Sequence, residues 1–370
     1  MNNKVIAAII VIGVVILGGS YFFNSKAPQA AGPIKIGFSM PLTGEAASYG
    51  ESGMSGAKLA IKEINEAGGI NGRMIEAVYE DDKCDPSGIS AMQKLVNVDN
   101  VVAIVGPVCS AVAGGSVPVA RAANIPTIMI GASAPGLAGG ADSIFSGYAS
   151  DNFQGKFVAE YIYNVMGKHT AAILYVKNDW GQGLDGVFAA RFKELGGTIV
   201  VDEGAAQDSK DVKTVAAKVK TAKPDVVYMP TYPALAVVAI KQMKDIGVTA
   251  PIVGGDALEA AEFLNSGVAE GVTYFTGAVG DPDEFKAKIK ALTGVDTNIV
   301  GPLAYDAVHI LVKVIAEKGI KATDIIDGLN NITYTNGVSF KSISFDYNGD
   351  LEGATYVVKK IENGTVTEVK

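Results

Sequence analysis

Three short stretches of this 370-residue chain carry polar chemistry. Ser110 directly follows Cys109 and stands where a helix would start. Free backbone N–H groups point outward at such an end, so a hydroxyl there is placed to help hold an anion. Asp256 follows Gly254-Gly255 at the end of a strand-like run, where its carboxylate either serves a site or is simply solvated. Gly131-Ala132-Ser133-Ala134-Pro135 approaches the nucleophile turn of serine hydrolases but lacks its last glycine. A serine nucleophile also needs a base. The chain has two histidines, His169 beside Lys168 and His309 inside a helical run, and each reads as a surface or boundary residue. So few unclustered His and Cys residues offer no transition-metal site.

One motif points to an enzyme. Gly181-Gln182-Gly183-Leu184-Asp185-Gly186 fits the dinucleotide fingerprint, with Asp202 and Glu203 about 20 residues on. However, Lys177 to Trp180 separate the strand from the first glycine, and Trp180 would crowd a pyrophosphate. The glycines therefore read as a turn and a helix start, and no cofactor is expected.

Alternating elements must position these residues. Strand-like runs at Ile34–Ser39, Ile75–Asp81, Val101–Val105 and Thr127–Ile130 are separated by helical ones, the first of them Ser52–Ala67. Asp85-Pro86 starts the next helix as cap and first residue. The series restarts after Ser150–Asn152. Strands are expected at Ala171–Val176, Ile199–Val201, Val226–Met229, Pro251–Val253 and Val272–Thr276. Helices are expected at Leu184–Leu195, Val212–Thr221 and Ala234–Ile246. Two helices follow, near Asp283–Leu292 and Pro302–Lys318. Last come strands Ser342–Asp346 and Thr355–Ile361, joined by a turn at Asn348-Gly349. Strands alternating with helices imply α/β lobes with parallel sheets. Ligands of such sheets bind beyond the carboxyl ends of the strands. The loops there carry Tyr49, Ser110, Ser133, Trp180, Tyr232 and Asp256.

The two cysteines, Cys84 and Cys109, each follow a strand-like run. Adjacent strand ends place them within bridging distance, the alternative being two buried free thiols. An uncharged run from Val5 to Phe23 supports the bridge, because it reads as a membrane anchor or a signal peptide. Either places the rest of the chain outside the cytoplasm, where disulfides persist. Leu17-Gly18-Gly19-Ser20 looks like a lipoprotein signal with Ser20 in place of the lipidated cysteine. The net charge of −8 becomes −10 without Lys4 and Lys26, which argues against a nucleic-acid partner.

Further motifs occur in a telling order. They are Ile34-Lys35-Ile36-Gly37 with Pro41-Leu42-Thr43-Gly44, then Gly68-Gly69-Ile70-Asn71-Gly72. Asp81-Asp82 with Cys84-Asp85-Pro86 follows, then Gly301 with Tyr305-Asp306-Ala307, then Phe345-Asp346 with Gly349-Asp350-Leu351. From Ile34 to the C-terminus this order resembles the type I periplasmic binding proteins of the leucine/isoleucine/valine-binding family. These are solute receptors of amino-acid ABC importers.

The resemblance implies two doubly wound parallel-sheet lobes joined by a three-stranded hinge. Residues 34–151 and 281–350 would form one lobe, and 152–280 and 351–370 the other, after a leader of residues 1–33. It implies an amino acid held between them by a monomer that delivers it to a permease. The Ser110 hydroxyl and N–H would take the α-carboxylate. The Gly131 carbonyl and Ser133 hydroxyl would take the ammonium, with the Ser133 N–H also on the carboxylate. Asp256 would meet the ammonium on closure, and Tyr49, Trp180 and Tyr232 would line the side-chain end.

Two positions depart from the family pattern: leucine-type binders carry a glutamate at Asp256 and often a tyrosine at Trp180. The absence of Lys and Arg from this set disfavours an acidic side chain and points to a neutral aliphatic or aromatic amino acid. Relatives that bind amides or urea, and ligand-sensing modules of the same fold, are the alternatives.

Overall fold

The computed structural model describes residues 32–44, 46–139, 143–280, 282–294 and 296–369. The proposed leader lies outside them.

The first sheet contains β1 (Ile34–Met40), β2 (Ile75–Asp81), β3 (Ala103–Val105), β4 (Thr127–Met129) and β5 (Ile144–Ser146). All are parallel, in the order β2-β1-β3-β4-β5. Side chains alternate across a strand, so one strand feeds two cores. Ala103 and Val105 point into a core with Ala57 of α1 (Ala47–Glu66). Between them Ile104 joins a separate core with Met92 of α2 (Ile89–Asn97) and Val117 of α3 (Ser110–Ala122).

The second sheet contains β6 (Thr170–Val176), β7 (Thr198–Ala205), β8 (Val226–Met229), β9 (Ile252–Gly254), β10 (Thr273–Gly277), β11 (Tyr356–Glu362) and β12 (Thr365–Glu368). Its order is β12-β11-β10-β9-β8-β6-β7, parallel except for the pairs made by β11. Leu174 faces α6 (Lys213–Ala222) and α7 (Pro233–Asp245), while Ile173 faces α4 (Asp151–Glu160) and α5 (Asp179–Glu194). A short α8 (Ala261–Leu264) follows β9. The chain then returns to the first sheet as α9 (Asp283–Thr293), α10 (Val300–Lys318) and α11 (Ala322–Asn330). Val308 and Leu311 of α10 share the core of α1.

Four expectations need correction. Tyr49 and Gly50 lie in the first turn of α1 rather than in a loop. Gly50 permits this start, because a Cβ there would sit 2.0 Å from the Pro41 carbonyl oxygen. The segment Ser342–Asp346 is no strand; it makes only isolated bridges, Tyr334–Ile343 and Phe345–Leu351. The final hairpin is instead β11–β12, turning at Asn363-Gly364, both with positive φ (53° and 69°) as such a turn demands. Trp180 and the glycines after it belong to α5, which starts five residues before the expected Leu184. Among the described residues no helix is long and apolar enough to cross a membrane.

Candidate functional site

In both sheets the strand order reverses beside the first strand, at β1/β3 and at β6/β8, and the loops at these carboxyl ends face one another. Between them lies a narrow cleft. Tyr49, Ser110 and Gly131 line it from the first lobe, and Trp180, Tyr232 and Asp256 from the second. Ser133, 3% exposed, is not part of the lining surface but stands directly behind it.

The Ser110 corner is built by the loop after β2. The Asp81 carboxylate accepts from the N–H groups of Leu42, Thr43 and Lys83 and from the Thr43 hydroxyl at 2.6 Å, tying the β1–α1 loop to β2. Its partial burial would raise its pKa, but the Thr43 hydroxyl and the backbone bonds prevail and hold it below the usual carboxylate range. Asp82 accepts from the Ser39 hydroxyl and from the Cys84 N–H. Burial pushes Asp82 up to about 6. Cys84 is bridged to Cys109 with a Cα–Cα distance of 5.3 Å, which excludes the free-thiol alternative. Cys109 is the cap residue of α3, so the bridge fixes the helix start that carries Ser110.

Ser110 Oγ accepts from the N–H groups of Ser133 and Ala134, each at 3.1 Å. A hydroxyl that accepts twice still has its proton to donate. The Ser133 N–H, expected to reach a carboxylate, is engaged by Ser110 instead. The Ser133 hydroxyl has no partner and remains available.

Asp256 opens a short 3₁₀ turn after β9 and is 6% exposed. Burial pushes its carboxyl up to about 6; the polar groups of Tyr148 and Gln154 beside it pull the other way with less effect. Among the described residues it is the only charged side chain on the cleft lining. Trp180 and Tyr232 stack at 5.0 Å with an interplanar angle of 15° and form an apolar wall. The Tyr49 hydroxyl donates to the Ala257 carbonyl at 2.5 Å, a direct bond from the first lobe to the second. A net hydrogen bond is worth roughly 1 kcal/mol. Tyr49→Phe is therefore expected to weaken ligand binding by several-fold through a less stable closed state. Equilibrium titration of the variant checks it, and an unchanged affinity would remove the bond from the account.

The residues set aside above stay outside the cleft lining. Gly181 packs against the end of β6, where a Cβ would lie 2.2 Å from the Val176 carbonyl oxygen, so the fingerprint serves helix packing and not a phosphate. His309 is half-buried beside Tyr305 in α10, and this partial burial lowers its pKa. Five lining residues were not anticipated, Val108, Tyr148, Ala257, Ile299 and Val300, and Cys109 was expected only as a disulfide partner. Tyr148 follows the three-residue β5, too short to show a period, and α10 starts two residues before the helix expected at Pro302.

Two facing α/β lobes with a narrow cleft, polar at one end and aromatic at the other, define a solute-binding protein. Residues 33–365 match the family described as periplasmic binding protein, and the chain belongs to it. It is therefore a non-enzymatic solute receptor that works outside the cytoplasm. The chain is 30% identical over 356 residues to a leucine-, isoleucine-, valine-, threonine- and alanine-binding protein of Pseudomonas aeruginosa, covering 92% of this chain and 94% of that one. It is 31% identical to the Leu/Ile/Val-binding protein BraC3 of Rhizobium johnstonii, over 92% and 95% of the two chains. Among solved structures, the branched-chain amino acid transporter substrate-binding protein LivJ of Streptococcus pneumoniae, in complex with isoleucine, superposes with a TM-score of 0.81 at 28% identity. That match covers 91% of this chain and 99% of that one.

Proposed function

We propose that this protein captures a neutral amino acid, branched-chain or aromatic, between its lobes and delivers it to the permease of an ABC importer. One observation carries the reading: Ser110 and Asp256 oppose each other across a cleft whose remaining wall is apolar and aromatic, with no cationic side chain among the described residues. The lobes are residues 34–151 with 281–350 and residues 152–280 with 351–370. Ser110 at the start of α3 takes the α-carboxylate. The Gly131 carbonyl, the Ser133 hydroxyl and Asp256 take the ammonium. Tyr49, Trp180 and Tyr232 enclose the side chain. Charge-assisted hydrogen bonds of this kind contribute roughly 1.5–3 kcal/mol each. A ligand that bridges both lobes favours the closed state by its extra contacts there. The receptor acts as a monomer, secreted or held at the membrane by residues 5–23.

A thermal-shift screen over amino acids and amides tests the reading, since a bound ligand stabilises by mass action. Leucine, isoleucine, valine or phenylalanine should raise the melting temperature and change the fluorescence of the single tryptophan, Trp180. A response confined to amides or urea would overturn the amino-acid assignment.

A further inference from the structure

Behind the ammonium end of the cleft lies a second buried acid that the roles above leave unused. Asp151, the first residue of α4, is 0% exposed. Its backbone N–H donates to the Ser133 carbonyl at 2.9 Å, which ties it to the layer behind the cleft lining. Neither of its carboxylate oxygens makes a hydrogen bond of good geometry, although the Ser133 hydroxyl lies near enough to offset part of the effect of burial. The amide of Gln154, one turn further along α4, is likewise near polar groups without a well-formed bond. Asp256 stands close by: a Cβ on its neighbour Gly255 would lie 3.2 Å from Gln154 Oε1, one turn along α4 from Asp151. After burial, the nearby charge of Asp256 makes Asp151 harder to ionise. No Lys, Arg or His is paired with either acid among the described residues. Two buried carboxylates without a cation cannot both stay ionised at ordinary cost; such pairs hold a proton between them.

Resting on the amino-acid reading above, we propose that Asp151 and Asp256 share one proton while the cleft is empty, and that the ligand's ammonium displaces it. The ammonium then supplies the positive charge that the proton supplied. No bond to carbon changes: the O–H of one carboxyl breaks, its proton leaves to solvent, and an N–H of the ammonium takes its place. Asp151 thus becomes a second, deeper counter-charge for the ligand, and each capture releases a proton.

The tyrosines facing the pair do not titrate in the same range. Tyr148 and Tyr356 on the lobe crossings, Tyr228 of β8, Tyr49 of α1 and Tyr232 before α7 are all pushed above the ordinary tyrosine value by burial, so they stay protonated. Asp185 of α5, also near 6, and Asp82 beside the disulfide lie beyond these rings, and Glu259 and Glu262 approach Tyr49. None of these four acids lines the cleft.

The sign follows from linkage. If the empty form binds the extra proton, acid favours the empty form. Affinity is full at alkaline pH and falls about tenfold per pH unit below the pair's titration. The experiment is calorimetric titration of the full chain with leucine, or with the neutral amino acid that gives the largest thermal shift. It is run in buffers of low and high ionisation enthalpy at about pH 5.5 and about pH 8. The expected result is release of about one proton at the lower pH and less at the higher. Asp151→Asn should still bind the amino acid, with the release at least halved and the pH slope flattened. Binding with no proton released by the unaltered protein, or a release unchanged in Asp151→Asn, would overturn the pair while leaving the receptor reading intact. Failure of every amino acid to bind would instead overturn the reading on which the pair rests. Should Asp151→Asn not fold, the proton count of the unaltered protein decides alone.

Discussion

Asp256→Ala is expected to weaken amino-acid binding by roughly 2–5 kcal/mol, about 30-fold to several thousand-fold. The closed cleft offers the ammonium one lining carboxylate, and truncating it leaves a desolvated cation with neutral partners. The loss falls at the lower end if Asp151 takes over part of the charge. The same substitution has an opposite effect on the empty protein. Burial raises the folded-state pKa of Asp256 to about 6, above the unfolded value, so the folded state holds its proton more tightly. The stability this contributes is present at low pH and is lost as pH rises to and beyond about 6. Asp256→Asn should therefore raise the melting temperature of the ligand-free protein at neutral pH and leave it nearly unchanged near pH 4. Thermal scans at the two pH values check this. Equal shifts at both would show that the carboxylate carries no such cost.

Removing the Cys84–Cys109 bridge should give the largest loss of stability. The bonded residues are 25 apart in sequence, and closing a loop of that length in the unfolded chain is worth roughly 3 kcal/mol in the loop-entropy model. For a protein of this size that is a fall of roughly 4–5 °C in melting temperature on reduction or in Cys84→Ser/Cys109→Ser. A second effect follows from position. Cys109 caps α3, and Ser110 projects from the first turn, so the bridge holds the carboxylate-binding corner before the second lobe meets it. Affinity is expected to fall several-fold as well. A lower melting temperature with unchanged affinity would confine the bridge to stability.

The sequence revealed the strands with clear apolar runs, and with them the loops that carry chemistry. Ile34, Ile36 and Phe38 announce β1, and the position of Asp256 after two glycines announces a strand end. Short elements stayed hidden. β5 has three residues, all buried, and two apolar residues followed by a serine show no period to read. Tyr148 was missed with it, although it reaches across the crossing to accept from the Gly277 N–H at 2.9 Å. The Asn348-Gly349 turn drew the final hairpin away from Asn363-Gly364, where the exposed β12 is too polar to look like a strand. Asp151 was invisible for another reason. An aspartate after Ser150 at a helix start looks like an ordinary first-turn acid. Only the fold shows that Ser133, Gln154 and Asp256 close over it.

The central claim is that one end of the cleft recognises a carboxylate and an ammonium together. The direct measurement is calorimetric titration with leucine and with its two halves, 4-methylpentanoate and 3-methylbutylamine. The account predicts that leucine binds and that each half binds at least roughly 100-fold more weakly, because each leaves one charged partner set unpaired. Binding of either half as tightly as leucine would contradict it.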